Sequence, residues 1–255
     1  MISKAAQRNH DDLFPGHVST LKVTDPELIE VFDNFALDEV LQYGNLDARS
    51  RLMVQLAAMI ACPALGEYRV MLGAALTAGV SPVEIKEIVN QAVPYVGLAK
   101  VFDFLHTTNE VLTDRGVELP LPAQSASTPQ TRGEVGLAVQ NRIVGADKVK
   151  AMYAAAADDE SHFQHYLSAN CFGDYVSRGG IELRIRELLT FSMLVSLGGA
   201  DAQVKGHVAG NLNVGNDRKT LLAVLTQLLP FIGYPRTLNG LAAVNEVAPR
   251  EGIQR

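Results

Sequence analysis

Two titratable residues stand out in this 255-residue sequence, because each is replaced by an apolar residue when the chain is laid over itself. Glu187, in "RELLTFSML", falls over Leu52, and His207, in "QVKGHVAGNLNVG", falls over Met71. A carboxylate and an imidazole make a working pair. The carboxylate fixes the ring's tautomer, and an imidazole gives or takes a proton near neutral pH. A single histidine in an apolar helix is more often a satisfied core group than a catalyst. Joint loss of an acid and a base from the same copy reads instead as one site kept in one place and filled with packing in the other. On that reading Leu52 and Met71 should be buried among apolar neighbours, with no cavity beside them.

The self-comparison extends over most of the chain. "NQAVPYVGLAKVFDFLHTTNEV" (Asn90 to Val111) lies over "TQLLPFIGYPRTLNGLAAVNEV" (Thr226 to Val247), with Gln91, Pro94, Gly97 and Leu105 matching Gln227, Pro230, Gly233 and Leu241. Tyr95 and Val96 face Phe231 and Ile232. Upstream, "YGNLDARSRLMVQLAAMIA" matches "RGGIELRIRELLTFSMLVS", with Gly44 over Gly179 and Arg51 over Arg186. The offset is 135 upstream and 136 downstream, which places one added residue in the turn near Gly198 to Asp201. Between the copies, "TDRGVELPLPAQSASTPQTRG" has prolines, glycines and small polar residues without periodicity, as linkers do. The organisation expected is an N-terminal extension over 1–24, repeat 1 over 25–113, a linker over 114–132 and repeat 2 over 133–255.

The elements that must hold the pair are helices. Asp25 with Pro26 opens one helix, and Asp47 caps the next, whose run "LMVQLAAMIA" is apolar on almost all faces and so central. A third is expected over about Glu67 to Ala78. Ser81, Pro82 and Glu84 form a capping box for a fourth that stops before Pro94, and a last helix covers about Ala99 to Leu112. Repeat 2 follows the same plan after extra helices near Val135–Arg142 and Lys148–Ala157. No segment alternates as a strand does, so the fold class is all-α. Glu187 and His207 sit on two helices joined by the short turn at Gly198 and Gly199. At about 1.5 Å rise per residue, antiparallel packing brings them within roughly one turn in height, within reach of a hydrogen bond.

Composition limits the partners. The formal net charge is −6, with no basic run and no aromatic-basic interleaving, which argues against nucleic acid and anionic membrane surfaces. The opening "MISKAAQRNHDDLFPGH" lacks an apolar core for export, and no uninterrupted apolar stretch suffices to span a bilayer. Two cysteines, Cys62 and Cys171, in unrelated surroundings suit a reducing compartment, so the cytoplasm is expected. Their plain reading is buried thiols packed as small apolar groups. His162 and His165, three apart, lack a placed third ligand, and no metal is assigned to them. His10 and His17 lie in an N-terminal tail for which disorder and a wrap around a neighbouring subunit both stay open.

"ELLTFSMLVSLGGADAQVKGHVAGNLNVGN" followed by "LTQLLPFIGYPRTLNGL" resembles the carboxymuconolactone decarboxylase family, which shares its fold with alkylhydroperoxidase D. Glu187, His207, Gly215, Gln227 and Gly233 fall at the family's spacing, and the resemblance covers about 85 residues of each repeat. It implies two tandem alkylhydroperoxidase D-like helical repeats, and assembly as a homotrimer in which paired units imitate a hexamer. The peroxidase branch uses Cys-x-x-Cys with the histidine four residues after the second thiol. Counting back from His207 gives Gln203 and Ala200, so both thiols are absent. The decarboxylase branch needs no cofactor. There the resemblance implies His207 as proton donor or carbonyl partner and Glu187 as its orienting group.

A carboxylated lactone also wants a cation. Arg236, after Pro235 at a helix start where backbone N–H groups favour anions, is the candidate, with a surface salt bridge as its equal alternative. Asn211 shares the face of His207 and is a second substrate-binding candidate, although capping or solvation explains it equally well. The expected function is a cofactor-free decarboxylase acting on a small anionic lactone. A non-enzymatic oligomeric scaffold ranks second, and a thiol-dependent peroxidase third.

Overall fold

Apolar helices with no polar face must be covered on all sides, and this requirement fixes the centre of the molecule. The computed structural model describes residues 1–44 and 46–250, so the last positions assigned to repeat 2 lie outside the described residues. The extension supplies α1 (Lys4–Leu13) and α2 (Leu21–Thr24). Repeat 1 contains α3 (Pro26–Leu37), α4 (Ala48–Ala61), α5 (Leu65–Thr77), α6 (Pro82–Val96) and α7 (Leu98–Asp114). Then come α8 (Arg132–Val144), α9 (Ala146–Ala155) and α10 (Ser161–Tyr166), the last running into a π-helical stretch, Leu167–Val176. Repeat 2 closes with α11 (Leu183–Leu197), α12 (Asp201–Asn213), α13 (Arg218–Ile232) and α14 (Tyr234–Val247). Among the described residues there is no strand, and no helix is long and apolar enough to cross a membrane.

The two most apolar helices, α4 and α11, pack on each other, buried from Leu52 to Ala61 and from Arg186 to Ser196. Residues of both repeats share a single hydrophobic cluster around them. Each fully buried Leu or Phe there, such as Leu52, Leu189 and Phe191, contributes about 1.5–3 kcal/mol. Two of the three caps are those the sequence indicates, while Asp25 precedes Pro26 at the start of α3 without a side-chain cap bond. Asp47 accepts from the Ser50 N–H at 3.0 Å, and Ser81 and Glu84 close a reciprocal capping box.

Three expectations differ. Pro94 does not end α6: it sits in the last turn, where it removes the one bond its N–H would make to the Asn90 carbonyl, and the helix closes after it through the Gly97 N–H to the Val93 carbonyl. Pro230 does the same in α13. The N-terminal tail is not disordered: it forms a helix against its own chain. Ser3 caps α1, which buries Ala6, His10 and Leu13 and packs on α3 and α5 of its own chain. The π-helical stretch was not foreseen. It lies hard against α8, where a Cβ on Gly136 would stand 1.9 Å from the Ser168 carbonyl oxygen, so only glycine allows the approach.

Candidate active site

The start of α11 is pinned by a buried charge network. Arg186, 1% exposed, donates to Glu87 Oε2 at 2.9 Å and Gln91 Oε1 at 2.9 Å on α6, and to the carbonyls of Arg178 and Gly179 at 3.0 and 2.7 Å. Arg178 adds three more bonds to Glu87, so two guanidiniums share one carboxylate. Burial pulls the Arg186 guanidinium down from its usual value, and the hydrogen bond and charge of Glu87 oppose that. The next residue is Glu187.

Glu187 is fully buried, and its Oε2 accepts from His207 Nδ1 at 2.8 Å. The imidazole side chain keeps 17% exposure, so the pair is reached from the ring side only. With Nδ1 committed to the carboxylate, Nε2 is the nitrogen that can meet a substrate. Gly210, one turn along α12 from His207, leaves room for the carboxylate: a Cβ there would stand 2.8 Å from Glu187 Oε2 and 2.9 Å from Ile143 Cγ2. Glu187 Oε1 is buried without a hydrogen-bond partner, an expensive state for a carboxylate oxygen.

Asn211 has a different task from the one expected. Its Nδ2 donates to the Glu187 carbonyl at 3.1 Å and the His207 carbonyl at 2.7 Å, and its Oδ1 accepts from Asn216 at 2.8 Å. Asn216 in turn bonds Arg184 through both side-chain atoms. Fully buried, with both amide protons used, Asn211 has no donor left for a ligand; it locks the register of α12 on α11. Arg236 stands elsewhere. It lines a small crevice at the Gly198–Gly199 turn with Asp201 and Asn239, at the opposite end of α11 from Glu187. Within one chain the structure therefore brings together Glu187, His207 and Asn211, and leaves Arg236 apart. His165 bonds the Ser161 carbonyl one turn back, and His162 packs on Phe163 and Tyr166.

Sequence reasoning assigned the site to repeat 2 alone, and missed Tyr95. This α6 residue of repeat 1 stands edge-on to His207 with ring centroids 6.0 Å apart, while its buried hydroxyl, without a hydrogen-bond partner, faces Cys171, Glu187 and Thr190. The signal was present in the repeat alignment, where Tyr95 faces Phe231. The mirror arrangement holds in the other half, where Phe231 lines the space beside Met71. Each repeat thus completes the other's site.

Cys171 is nearer the pair than the sequence indicated, but burial pushes its thiol up to about 12, with the neighbouring Tyr95 hydroxyl opposing and Glu187 adding to the rise. Burial also raises Cys62. Both thiols are free.

In repeat 1, Leu52 and Met71 are buried, at 0% and 5% exposure. The expectation of no cavity fails, however. A space of about 330 Å³ opens beside Met71, roofed by the N-terminal extension. Its walls include Arg51, Glu67 and Gln55, whose polar groups oppose the collapse that an all-apolar lining would allow.

Comparison with known proteins bears on both halves. The family model "Carboxymuconolactone decarboxylase family" matches twice, over residues 26–110 and 161–246. A relative named 4-carboxymuconolactone decarboxylase, from Acinetobacter baylyi (strain ATCC 33305 / BD413 / ADP1), is 25% identical over 124 residues, which cover 49% of this chain and 92% of the relative.

Proposed function

Since the chain belongs to the carboxymuconolactone decarboxylase family, with two copies of the family unit in tandem, we propose that repeat 2 is a cofactor-independent decarboxylase acting on a small carboxylated lactone. The observation that carries this reading is the 2.8 Å contact between a fully buried Glu187 and the one partly exposed end of the pair, His207. The relative's printed activity supplies the substrate class.

In the proposed reaction the bond between the ring carbon and the carboxylate breaks, and carbon dioxide leaves. The electron pair flows through the conjugated double bond to the lactone carbonyl, giving a dienolate. Nε2 of the His207 imidazolium returns one proton to carbon, and the histidine regains it from solvent. Glu187 acts through His207: it holds Nδ1–H and so keeps Nε2 turned outward. Tyr95 limits the ring's swing from the other side.

The test is turnover of 4-carboxymuconolactone, followed as carbon dioxide release, by the wild type and by His207→Gln. Turnover that falls by about a hundredfold or more in the variant supports the reading, because a positioned acid–base group typically contributes 10²–10⁴-fold. Equal turnover in both proteins sinks it.

The reading includes assembly as a homotrimer. Leu28, Val31, Leu98 and Phe102 are large apolar side chains left exposed on the single chain, as surfaces awaiting cover are. Sedimentation at micromolar concentration should give three chains per particle; a monomer there would remove this part.

A further inference from the structure

The space beside Met71 occupies the place in repeat 1 that corresponds to the Glu187–His207 site, and it is equipped differently. Arg51 corresponds to Arg186, but the acid that holds Arg186, Glu87, corresponds to Ala223. The pseudo-equivalent of its second acceptor, Gln227 Oε1, is buried with no partner, whereas Gln91 Oε1 is bonded by Arg186. Arg51 lines the cavity instead, and makes no hydrogen bond or ion pair among the described residues. Burial pulls its guanidinium down, with Asp47 the only opposing charge. Gln55, 4% exposed, lines the same cavity with its Oε1 buried and unpartnered. A guanidinium that lines a cavity without a carboxylate partner marks a place for an anionic ligand.

The other charges around the cavity do not answer Arg51. Asp33 is taken by Lys22 at 3.8 Å, and His10 by Asp11 at 3.2 Å. Glu67 makes no ion pair with Arg51 among the described residues, and burial raises its carboxyl above the ordinary value. His17 stacks on His10 at the roof. The rest of the lining is apolar and partly aromatic, with Phe14 on the roof and Phe231 and Met71 below. A volume of about 330 Å³ accommodates a single-ring molecule.

We propose that repeat 1 holds a second ligand site, separate from the Glu187–His207 pair, which binds a small, largely apolar carboxylic acid with its carboxylate on Arg51 and its body between Phe14, Phe231 and Met71. The site binds and does no chemistry, since Leu52 and Met71 stand where the acid and base of repeat 2 stand.

The experiment is titration calorimetry of the full chain with trans-cinnamate and with its neutral amide. Cinnamate should bind the wild type and His207→Ala alike. The amide, which cannot pair with a guanidinium, and Arg51→Gln should each weaken binding at least about tenfold, the size of a charge-assisted hydrogen bond. Phe14→Ala, on the roof at the edge of the core, should weaken it several-fold; if Arg51→Gln does not fold, this variant and the amide comparison decide. The proposal is overturned by cinnamate failing to bind at millimolar concentration, by equal binding of the amide, or by binding that His207→Ala abolishes, which would place the acid in repeat 2.

Discussion

Tyr95 of the first repeat meets His207 of the second at 79° between ring planes, so the histidine is held between a carboxylate of its own repeat and an aromatic ring of the other. The tyrosine's hydroxyl gains nothing in that position, being buried without a partner. Tyr95→Phe, which copies Phe231, should therefore leave stability unchanged or raise it by up to about 1 kcal/mol, since a buried unpaired polar group is removed. Denaturant unfolding measures this. A loss of more than about 1 kcal/mol would mean that the hydroxyl has a partner in solution.

Replacing one member of the Glu187–His207 pair is a different matter from replacing both. His207→Ala strands a carboxylate with no exposed surface and should cost about 2–4 kcal/mol, somewhat below the usual penalty for a broken buried pair because the imidazole is partly exposed. The double change Glu187→Leu with His207→Met, which copies Leu52 and Met71, should be at least as stable as the wild type and inactive. Matched unfolding curves for the three proteins check both statements; a double variant less stable than His207→Ala contradicts them.

Gly210→Ala should lower both activity and stability, although alanine is ordinarily the better helix former by about 1 kcal/mol. The new Cβ has to displace Glu187 Oε2 or Ile143. The corresponding position of repeat 1 is already Ala74, which faces no carboxylate. Ala74→Gly should thus cost the propensity difference plus about 0.8 kcal/mol for one buried methyl, and leave turnover intact; the contrast in turnover between the two variants is the readout.

The thiols should be silent in the folded chain. With the Cys171 thiol pushed up to about 12, only on the order of one molecule in ten thousand carries that thiolate at pH 8, so a disulfide reagent should label it only after unfolding. The folded thiol holds its proton more tightly than the unfolded thiol, with its ordinary value of 9.0. Its contribution to stability is present below about pH 9 and is lost as pH rises toward 12. The double variant Cys62→Ser with Cys171→Ser should keep the wild-type decarboxylase activity. Peroxide turnover that vanishes with the cysteines would restore the thiol mechanism.

Helices, caps and the Glu187–His207 contact were legible because each rests on local spacing: a capping residue, a 3.6-residue period, two positions equidistant from a tight turn. Asn211 was misjudged because its face was readable but its partners were not. Nothing in the spacing says that a carbonyl of α11 lies across from it. Arg236 stands apart from the pair of its own chain, for the opposite reason. Its helix start was right, but which end of α11 that start abuts depends on how α14 packs, a long-range property. Tyr95 and the cavity beside Met71 both arise from contacts between repeats or with the extension, and no pattern within one repeat encodes those.

The exchange of Tyr95 and Phe231 between the halves also bears on descent. If two identical chains paired in this way, every substitution would appear in both sites at once, and a site could be lost only by losing it twice. Joining the copies in one chain removes that constraint. Glu187, His207 and Tyr95 could then persist around one seat while Leu52, Met71 and Phe231 furnished the other, and each set of three draws one member from the opposite repeat. Neither repeat, cut free, would carry a whole seat of either kind.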